Sequence, residues 1–488
     1  MKTIVIMSLS VLTLFTASVA LSSTIDHSEY LKGPFKTGED VTKACLQCHD
    51  KQAEDFLQTP HWKWKGAPRT VKGLENSKEE YGKSNLLNNF CTDVEGGSRP
   101  FCTKCHAGYG WTDSSAPLQD KTKIDCLVCH AKAGNYKKSL GGYPDEKLLE
   151  KGKMDLTQAA KSVSMPNRDN CGVCHFFGGG GDAVKHGDLD SSLSRPKKDH
   201  DVHMGGYADM NCQSCHTVRD HKIAGASTFL ATNDGRVSCE DCHRDPHKDS
   251  PENKTLSRHT KTVACQTCHI PYFAKGQATK MSWDWSNVGK DVEPEEQFGK
   301  ETYAKHKGTF VWDMKVVPTY AWYNGKTERY LKGEKIADPS KTVYISKPVG
   351  AIRDAGSKIY PFKVHRGKQP MDSNFKYLSI FQNYGGLWSH YNWEKALEDG
   401  AKASGLPYSG KFQFVSTAFY GSINHEVAPR DKALKCGDCH FGGNKRLDWK
   451  ALGYAGDPMR SGSRFDAAPE KTAKVAGRPA GKRNTARQ

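Results

Sequence analysis

The sequence predicts a mainly α and irregular fold with one small antiparallel β element, wound around bound prosthetic groups in place of a single apolar core. Three observations predict it. Hydrophobic residues make up 36% of the 488 residues, short of the roughly 45–50% apolar usage of ordinary globular domains, so side chains alone supply too little apolar surface. Sixteen of the 17 cysteines fall in Cys-x-x-Cys-His units. The stretch 270–430 carries no such unit but is rich in aromatic residues, with strand-like runs around 309–335.

Taken in order, residues 1–20 read as a secretory signal peptide. Lys2 gives a charged start, Ile4 to Phe15 an apolar run, and Ser18-Val19-Ala20 a small-residue cleavage site. No later segment approaches the roughly 18–20 apolar residues of a spanning helix. The expectation is an exported periplasmic protein with no membrane span once the signal is removed.

Residues 21–269 hold seven of the eight units, and 431–455 hold the eighth. The units are Cys45/Cys48/His49, Cys102/Cys105/His106, Cys126/Cys129/His130 and Cys171/Cys174/His175, then Cys212/Cys215/His216, Cys239/Cys242/His243, Cys265/Cys268/His269 and Cys436/Cys439/His440. This spacing is the attachment signature of c-type haem. Two thiols form thioethers to the two vinyl groups, and the adjoining histidine reaches the iron. Zinc sites or a disulfide framework would leave the histidine of every unit unexplained. The fold class is therefore a multihaem cytochrome c, wrapped around eight covalently bound haem c groups.

Within 21–269 the regular structure should be short helices and loops. One helix is expected at 155–163, opened by Asp155 with Gln158 and stopped by Met165-Pro166. In 270–430, an α+β region, Asn324-Gly325 between strand-like flanks signals a hairpin, and a helix is expected at 390–403, closed by Gly405 and Pro407. Residues 456–488 form a basic tail with few large apolar residues, a composition typical of disorder.

The net charge of +16 would suit nucleic acid, but export argues against that partner. Haem propionates would neutralise much of it, a solvated basic surface would account for part, and the remainder could steer a small anionic substrate.

A second strong axial ligand makes an electron-transfer haem, whereas an open or weakly filled position admits substrate. Of the histidines outside the units, His61, His186, His203, His221, His247, His259 and His425 lie close to one in sequence and are the distal-ligand candidates. His27, His200, His306, His365 and His390 are weaker ones. That supply suits seven bis-histidine haems and one that differs. Lysine is a ligand choice for the odd haem, because burial beside a metal lowers its pKa. Lys185 stands out by its place after four glycines and before His186. Cys91 is left over as a single thiol, inert or functional.

These features together resemble the octahaem tetrathionate reductase family of multihaem cytochromes. The resemblance covers most of the mature chain, through GPFKTGEDVTKACLQCH, GGGGDAVKHGD, SINHEVAPRDKALKCGDCH and all eight units. It implies that the second haem, on Cys102/Cys105/His106, is the active one. It further implies a distal lysine with a cysteine nearby, roles that Lys185 and Cys91 match best, with Asp182 lining the same pocket. Members are associated with reducing tetrathionate, and also nitrite and hydroxylamine. Pentahaem nitrite reductases mark their active haem with Cys-x-x-Cys-Lys, whereas all eight units here end in histidine, so any lysine must be distal. Hydroxylamine oxidoreductases contribute a cross-linked tyrosine from beyond the last unit. Here only Tyr454 follows His440, which argues against that oxidase chemistry. The expected function is reduction of tetrathionate to thiosulfate, with electrons from a periplasmic or membrane-anchored donor cytochrome. The rival is a non-catalytic electron conduit.

Overall fold

All eight Cys-x-x-Cys-His units lie on helical turns, α or 3-10. The reason is geometric: one turn brings residue i+3 back to the side of residue i, so both thiols of a unit face the same way. The computed structural model describes residues 25–464, apart from 91–93, 114–117, 226–228, 230–234, 249–251 and 443–445. The expected signal peptide, Cys91 and the tail beyond 464 lie outside the described residues. The part of the tail that is described includes a helical turn, Pro458–Ser461.

The first helix, α1 (Gly38–Leu57), is longer than the sequence suggests. Thr37 and Asp40 form a reciprocal capping box at its start, satisfying two of the N–H groups a helix start leaves open. The helix kinks at His49, the histidine of the first unit. Helix α2 (Leu156–Lys161) falls within the expected 155–163, with Asp155 accepting from the backbone of Thr157 and Gln158. Helix α3 (Arg168–His175) carries the fourth unit and opens on a second capping box, Asn167 with Asn170. Helix α4 (Trp393–Ser404) begins three residues later than expected, because Tyr391 sits at φ +54 and breaks the path from the preceding turn. Gly405, left-handed, closes it.

The β element is wider than the small antiparallel one expected around 309–335. Eight strands form one mixed sheet: β1 (Thr279–Asp284), β2 (Tyr303–Ala304), β3 (Gly308–Asp313), β4 (Thr319–Tyr323), β5 (Thr327–Arg329), β6 (Val343–Pro348), β7 (Lys358–Asp372) and β8 (Phe412–Ser422). Their order is β5-β6-β8-β7-β1-β3-β2, with β4 also on β7. The pairs β6–β8 and β7–β1 are parallel. Asn324-Gly325 does not close a hairpin. Strand β4 pairs over five residues with the start of β7, and β5 pairs with the end of β6. The Asn324 side chain accepts from Lys326 N instead, so the turn hands the chain from one neighbour strand to another.

The largest apolar cluster lies at this sheet and includes Trp283, Trp285, Phe310, Phe381, Leu397 and Phe419. A second cluster joins α1 and α2 through Val41, Leu127 and Leu156. The haem-dense and aromatic stretches interlock: Val71 bridges to Thr327, Val263 to Ile359, and Asn89 donates to the His365 carbonyl. No helix among the described residues is long and apolar enough to cross a membrane.

Candidate haem sites and the Lys185 chamber

Seven unit histidines each face one other histidine across a nearly constant gap. The ring centroids are 6.1 Å apart for His49 and His27, 6.4 Å for His130 and His221, 6.1 Å for His175 and His61, and 6.3 Å for His216 and His425. They are 6.0 Å apart for His243 and His203, 6.3 Å for His269 and His247, and 6.2 Å for His440 and His259. Two metal–imidazole bonds of about 2 Å each, plus roughly 1.1 Å from nitrogen to ring centroid on either side, give about 6.2 Å. The gaps therefore have the width that one iron between two imidazoles requires. Among the described residues no cluster of three or more His, Cys, Asp or Glu has metal-holding geometry, so the arrangement is one of facing pairs.

Six of the seven distal candidates sit in these gaps: His61, His203, His221, His247, His259 and His425. His186 does not. Its ring packs on Phe229, with centroids 4.6 Å apart. His27, a weaker candidate by sequence, faces His49 instead. The remaining weaker candidates face no unit histidine among the described residues. His200 pairs with Glu426 at 2.7 Å, His306 stands edge-on to Trp388, His365 Nδ1 is 3.0 Å from Asn89 Oδ1, and His390 Nδ1 accepts from Asn392 N.

Several gap histidines are held from behind. His130 Nδ1 contacts the Ser164 carbonyl at 3.0 Å and His216 Nδ1 the Ala224 carbonyl at 2.9 Å. His425 Nδ1 contacts Asp188 at 3.2 Å and His440 Nδ1 contacts Asp457 at 2.6 Å. A hydrogen bond at Nδ1 fixes the ring so that Nε2 faces the gap.

The units touch one another. Thiol contacts join Cys45 to Cys126, Cys105 to Cys174, Cys171 to Cys212 and Cys239 to Cys265. A continuous cavity of about 2800 Å³ is lined by cysteines of the first five units and largely by apolar atoms, a shape suited to flat hydrophobic rings.

The wrapping expected from the sequence is not uniform, and the sixth unit departs from it most. Cys242 is exposed and lies outside the large cavity, and its neighbours from Glu240 to Pro246 are exposed as well. Cys48, Cys215 and Cys436 are exposed too, although Cys48 and Cys215 line the cavity rim. The cause at Cys242 is local. The helical turn Cys239–Cys242 is only four residues long and rich in acid, with Glu240 and Asp241 between the cysteines, so it stays at the surface, and only Cys239 reaches inward to touch Cys265. The sixth unit thus lies at the surface, outside the large cavity. A thioether requires only that the sulfur reach a vinyl carbon, so an exposed Cys242 remains chemically able to anchor a haem edge.

The second unit differs from the rest. His106 is fully buried among tryptophans: its ring stacks on Trp111 with centroids 3.7 Å apart, and Nε2 contacts the Trp62 carbonyl at 2.7 Å. No histidine faces it among the described residues. Behind it, Lys138 donates to the His106 carbonyl and pairs with Asp125 at 2.8 Å, both side chains buried. Tyr109 and Tyr136 also donate to Asp125.

Lys185 lies in the cavity near Cys105. Its Nζ sits 4.5 Å from the centre of the Phe229 ring. Burial pushes its amine down to about 7, with Lys83 and Arg329 pushing the same way and Cys105 opposing. Lys83 lies over Trp64 and Arg329 over Phe419, and Phe229 stacks on Phe419. The result is a chamber with aromatic walls and three basic side chains, Lys83, Lys185 and Arg329, all lining the same cavity.

The sheet fixes the backbone of this segment. Five consecutive carbonyls, 183–187, accept hydrogen bonds. The Thr279 hydroxyl donates to Ala183 O and His186 O, Lys363 Nζ donates to Val184 O and Lys185 O, and Ala274 N donates to Gly187 O. Lys363 also donates to Thr279 Oγ1 at 2.7 Å. Burial lowers the Lys363 amine to about 7, against the attraction of Asp188 and Asp190. The glycine run serves Lys185 itself. A Cβ on Gly179 (φ +80) would lie 3.1 Å from Lys185 Cβ and 3.0 Å from Phe90, so the loop folds back on the lysine only because side chains are missing there.

Asp182 does not line the chamber. It accepts from Ser191 N at 3.0 Å, from the Ser191 hydroxyl and from Gln277 Nε2 at 2.9 Å, bonds that close the 182–191 loop. Three donors consume the carboxylate that the resemblance placed in the pocket. Sequence reasoning missed Lys83, Arg329, Lys363, Thr279 and Asp188. Asp188 alone left a signal, being three residues beyond Lys185.

Residues 280–443 match the bacterial cytochrome c family, and residues 44–131 match the cytochrome c554 and c-prime family. An uncharacterized protein of Archaeoglobus fulgidus is 24% identical over 255 residues, 43% of this chain and 84% of its own length. The crystal structure of octahaem cytochrome c from Shewanella oneidensis superposes with a TM-score of 0.80 and is 44% identical, covering 89% of this chain and 97% of the other.

Proposed function

Because the chain belongs to the octahaem cytochrome c family and carries covalently bound haem c, we propose that it holds eight haems and reduces a small anionic substrate at the second unit. Haem would supply one-electron transfer at seven sites and, at Cys102/Cys105/His106, an iron position for substrate, for which His106 Nε2 would exchange its contact with the Trp62 carbonyl for the iron. The facing pairs His27/His49, His221/His130, His61/His175, His425/His216, His203/His243, His247/His269 and His259/His440 would hold the seven. Lys185 would complete the remaining haem site, that of the second unit.

The observation that carries this reading is the exception. Seven unit histidines face a histidine, His106 faces none among the described residues, and a buried lysine with a lowered amine pKa stands near Cys105. The locked 183–187 backbone means that only the Lys185 side chain can swing to admit substrate. Lys83 and Arg329 attract and orient an anion, and the walls of Phe90, Phe229 and Phe419 exclude water, which strengthens that attraction.

Tetrathionate fits these terms. It is a dianion, and two electrons break its central S–S bond to give two thiosulfates with no proton consumed. The chamber is rich in cations, which suits a reaction that adds negative charge. Cys91 is the nucleophile or thiosulfonate-binding group in this reading. Nitrite or hydroxylamine reduction at the same site would draw protons from Lys185 or a nearby histidine. The signal peptide supports a periplasmic location and a donor cytochrome there or anchored to the membrane.

Electron paramagnetic resonance of the oxidised holoprotein tests the site. The expected result is seven bis-histidine signals and one distinct low-spin signal, replaced by a high-spin signal in Lys185→Ala. Eight uniform bis-histidine signals would instead identify a conduit without a substrate site. Turnover with reduced viologen as donor should be faster with tetrathionate than with nitrite.

A further inference from the structure

Two of the gap histidines are backed by carboxylates, each anchored by backbone N–H groups. Asp188, 2% exposed, uses one oxygen, Oδ2, to accept from Asn424 N at 2.7 Å, His425 N at 2.9 Å and the His425 ring at 3.2 Å. Asp457 accepts from His440 Nδ1 at 2.6 Å, Phe441 N at 3.0 Å and Met459 N at 3.0 Å. Backbone N–H groups thus fix both carboxylates against an imidazole. The comparable contacts of His130 and His216 go to neutral backbone carbonyls. Among the described residues no other gap histidine contacts a carboxylate within bonding distance.

A carboxylate behind an imidazole draws the Nδ1 proton toward itself and makes Nε2 a stronger donor. A stronger axial donor, with a fixed negative charge beside it, stabilises ferric over ferrous iron and lowers the reduction potential. A carbonyl acceptor does so less, because it carries no net charge.

We propose that Asp188 and Asp457 are positioning residues that set the haems of the fifth and eighth units at lower potential than the same sites would have with neutral acceptors. The fifth unit touches the fourth through Cys212 and Cys171, and the fourth touches the second through Cys174 and Cys105. Lowering the potential at the fifth unit therefore makes electron delivery to the Lys185 chamber more downhill. That consequence rests on the second unit being the substrate site; the potential shift does not.

The test is a spectroelectrochemical titration of the holoprotein and of Asp188→Asn, Asp188→Glu and Asp457→Asn. Each asparagine variant should move one one-electron component to higher potential. The two should move different components, and Asp188→Glu should restore the low one. Unchanged potentials, or shifts downward, would overturn the proposal. Should Asp188→Asn fail to fold, Asp457→Asn still decides, since its carboxylate lies nearer the surface. A Lys185→Ala protein with no high-spin signal would sink the substrate-site reading and leave this titration unaffected.

Discussion

Lys138 and Asp125 form a buried ion pair that ties the carbonyl of His106 to the residue preceding Cys126, and so joins the second unit to the third. Removing one partner of a buried pair costs about 3–5 kcal/mol, because the other charge stays buried and uncompensated. Lys138→Met should fall at the low end, about 3 kcal/mol, since Tyr109, Tyr136 and Val128 N still donate to Asp125. Denaturant unfolding of the holoprotein measures it. Little of this was legible beforehand. A lysine 32 residues from His106 carries no local mark, whereas the cysteine–histidine units are contiguous and identify themselves. Lys185 was legible as an oddity of neighbours. His186, its neighbour, was misjudged because proximity to a unit in sequence does not decide which iron a side chain reaches. His221 lies next to the fifth unit in the chain yet faces His130 of the third.

At the scale of an element, strand β7 reaches from the turn at 354–357 to Asp372, and Asp372 finishes it. That carboxylate is fully buried and accepts from Asn374 N, Phe375 N, Ser409 N and the Ser409 hydroxyl. Burial alone would raise its pKa, but these donors outweigh burial and hold it below the usual carboxylate value. A depressed carboxyl contributes stability that is present above the unfolded pKa near 3.8 and is lost as pH falls through the lower folded value. Asp372→Ala should cost about 1–3 kcal/mol at neutral pH, as buried donors lose their acceptor. The difference from wild type should shrink below about pH 3.8, which acid titration of both proteins would show. The helices at 156–161 and 393–404 were readable because their caps are local. The sheet was not: β6 with β8 and β7 with β1 pair in parallel across long separations, and a turn signal such as Asn324-Gly325 marks a reversal without naming the partner strand.

For the whole molecule, the cavity of about 2800 Å³ decides whether the chain can fold alone. An unfilled cavity costs roughly 24 cal/mol per Å³, so even a tenth of this volume left empty would cost about 7 kcal/mol, comparable to the 5–15 kcal/mol that stabilises a typical domain. Chain produced without haem attachment should therefore lack a cooperative thermal transition. Calorimetry of the haem-free and holo proteins makes the comparison.

The facing pairs also bear on the order in which the protein is built. A chain is synthesised from its N-terminus, so His27, His61, His203, His247 and His259 have already emerged when His49, His175, His243, His269 and His440 appear. The pairs of His130 and His216 run the other way and wait for His221 and His425. The fifth unit thus stays unpaired until His425 arrives, and only the pair of His259 with His440 is completed later.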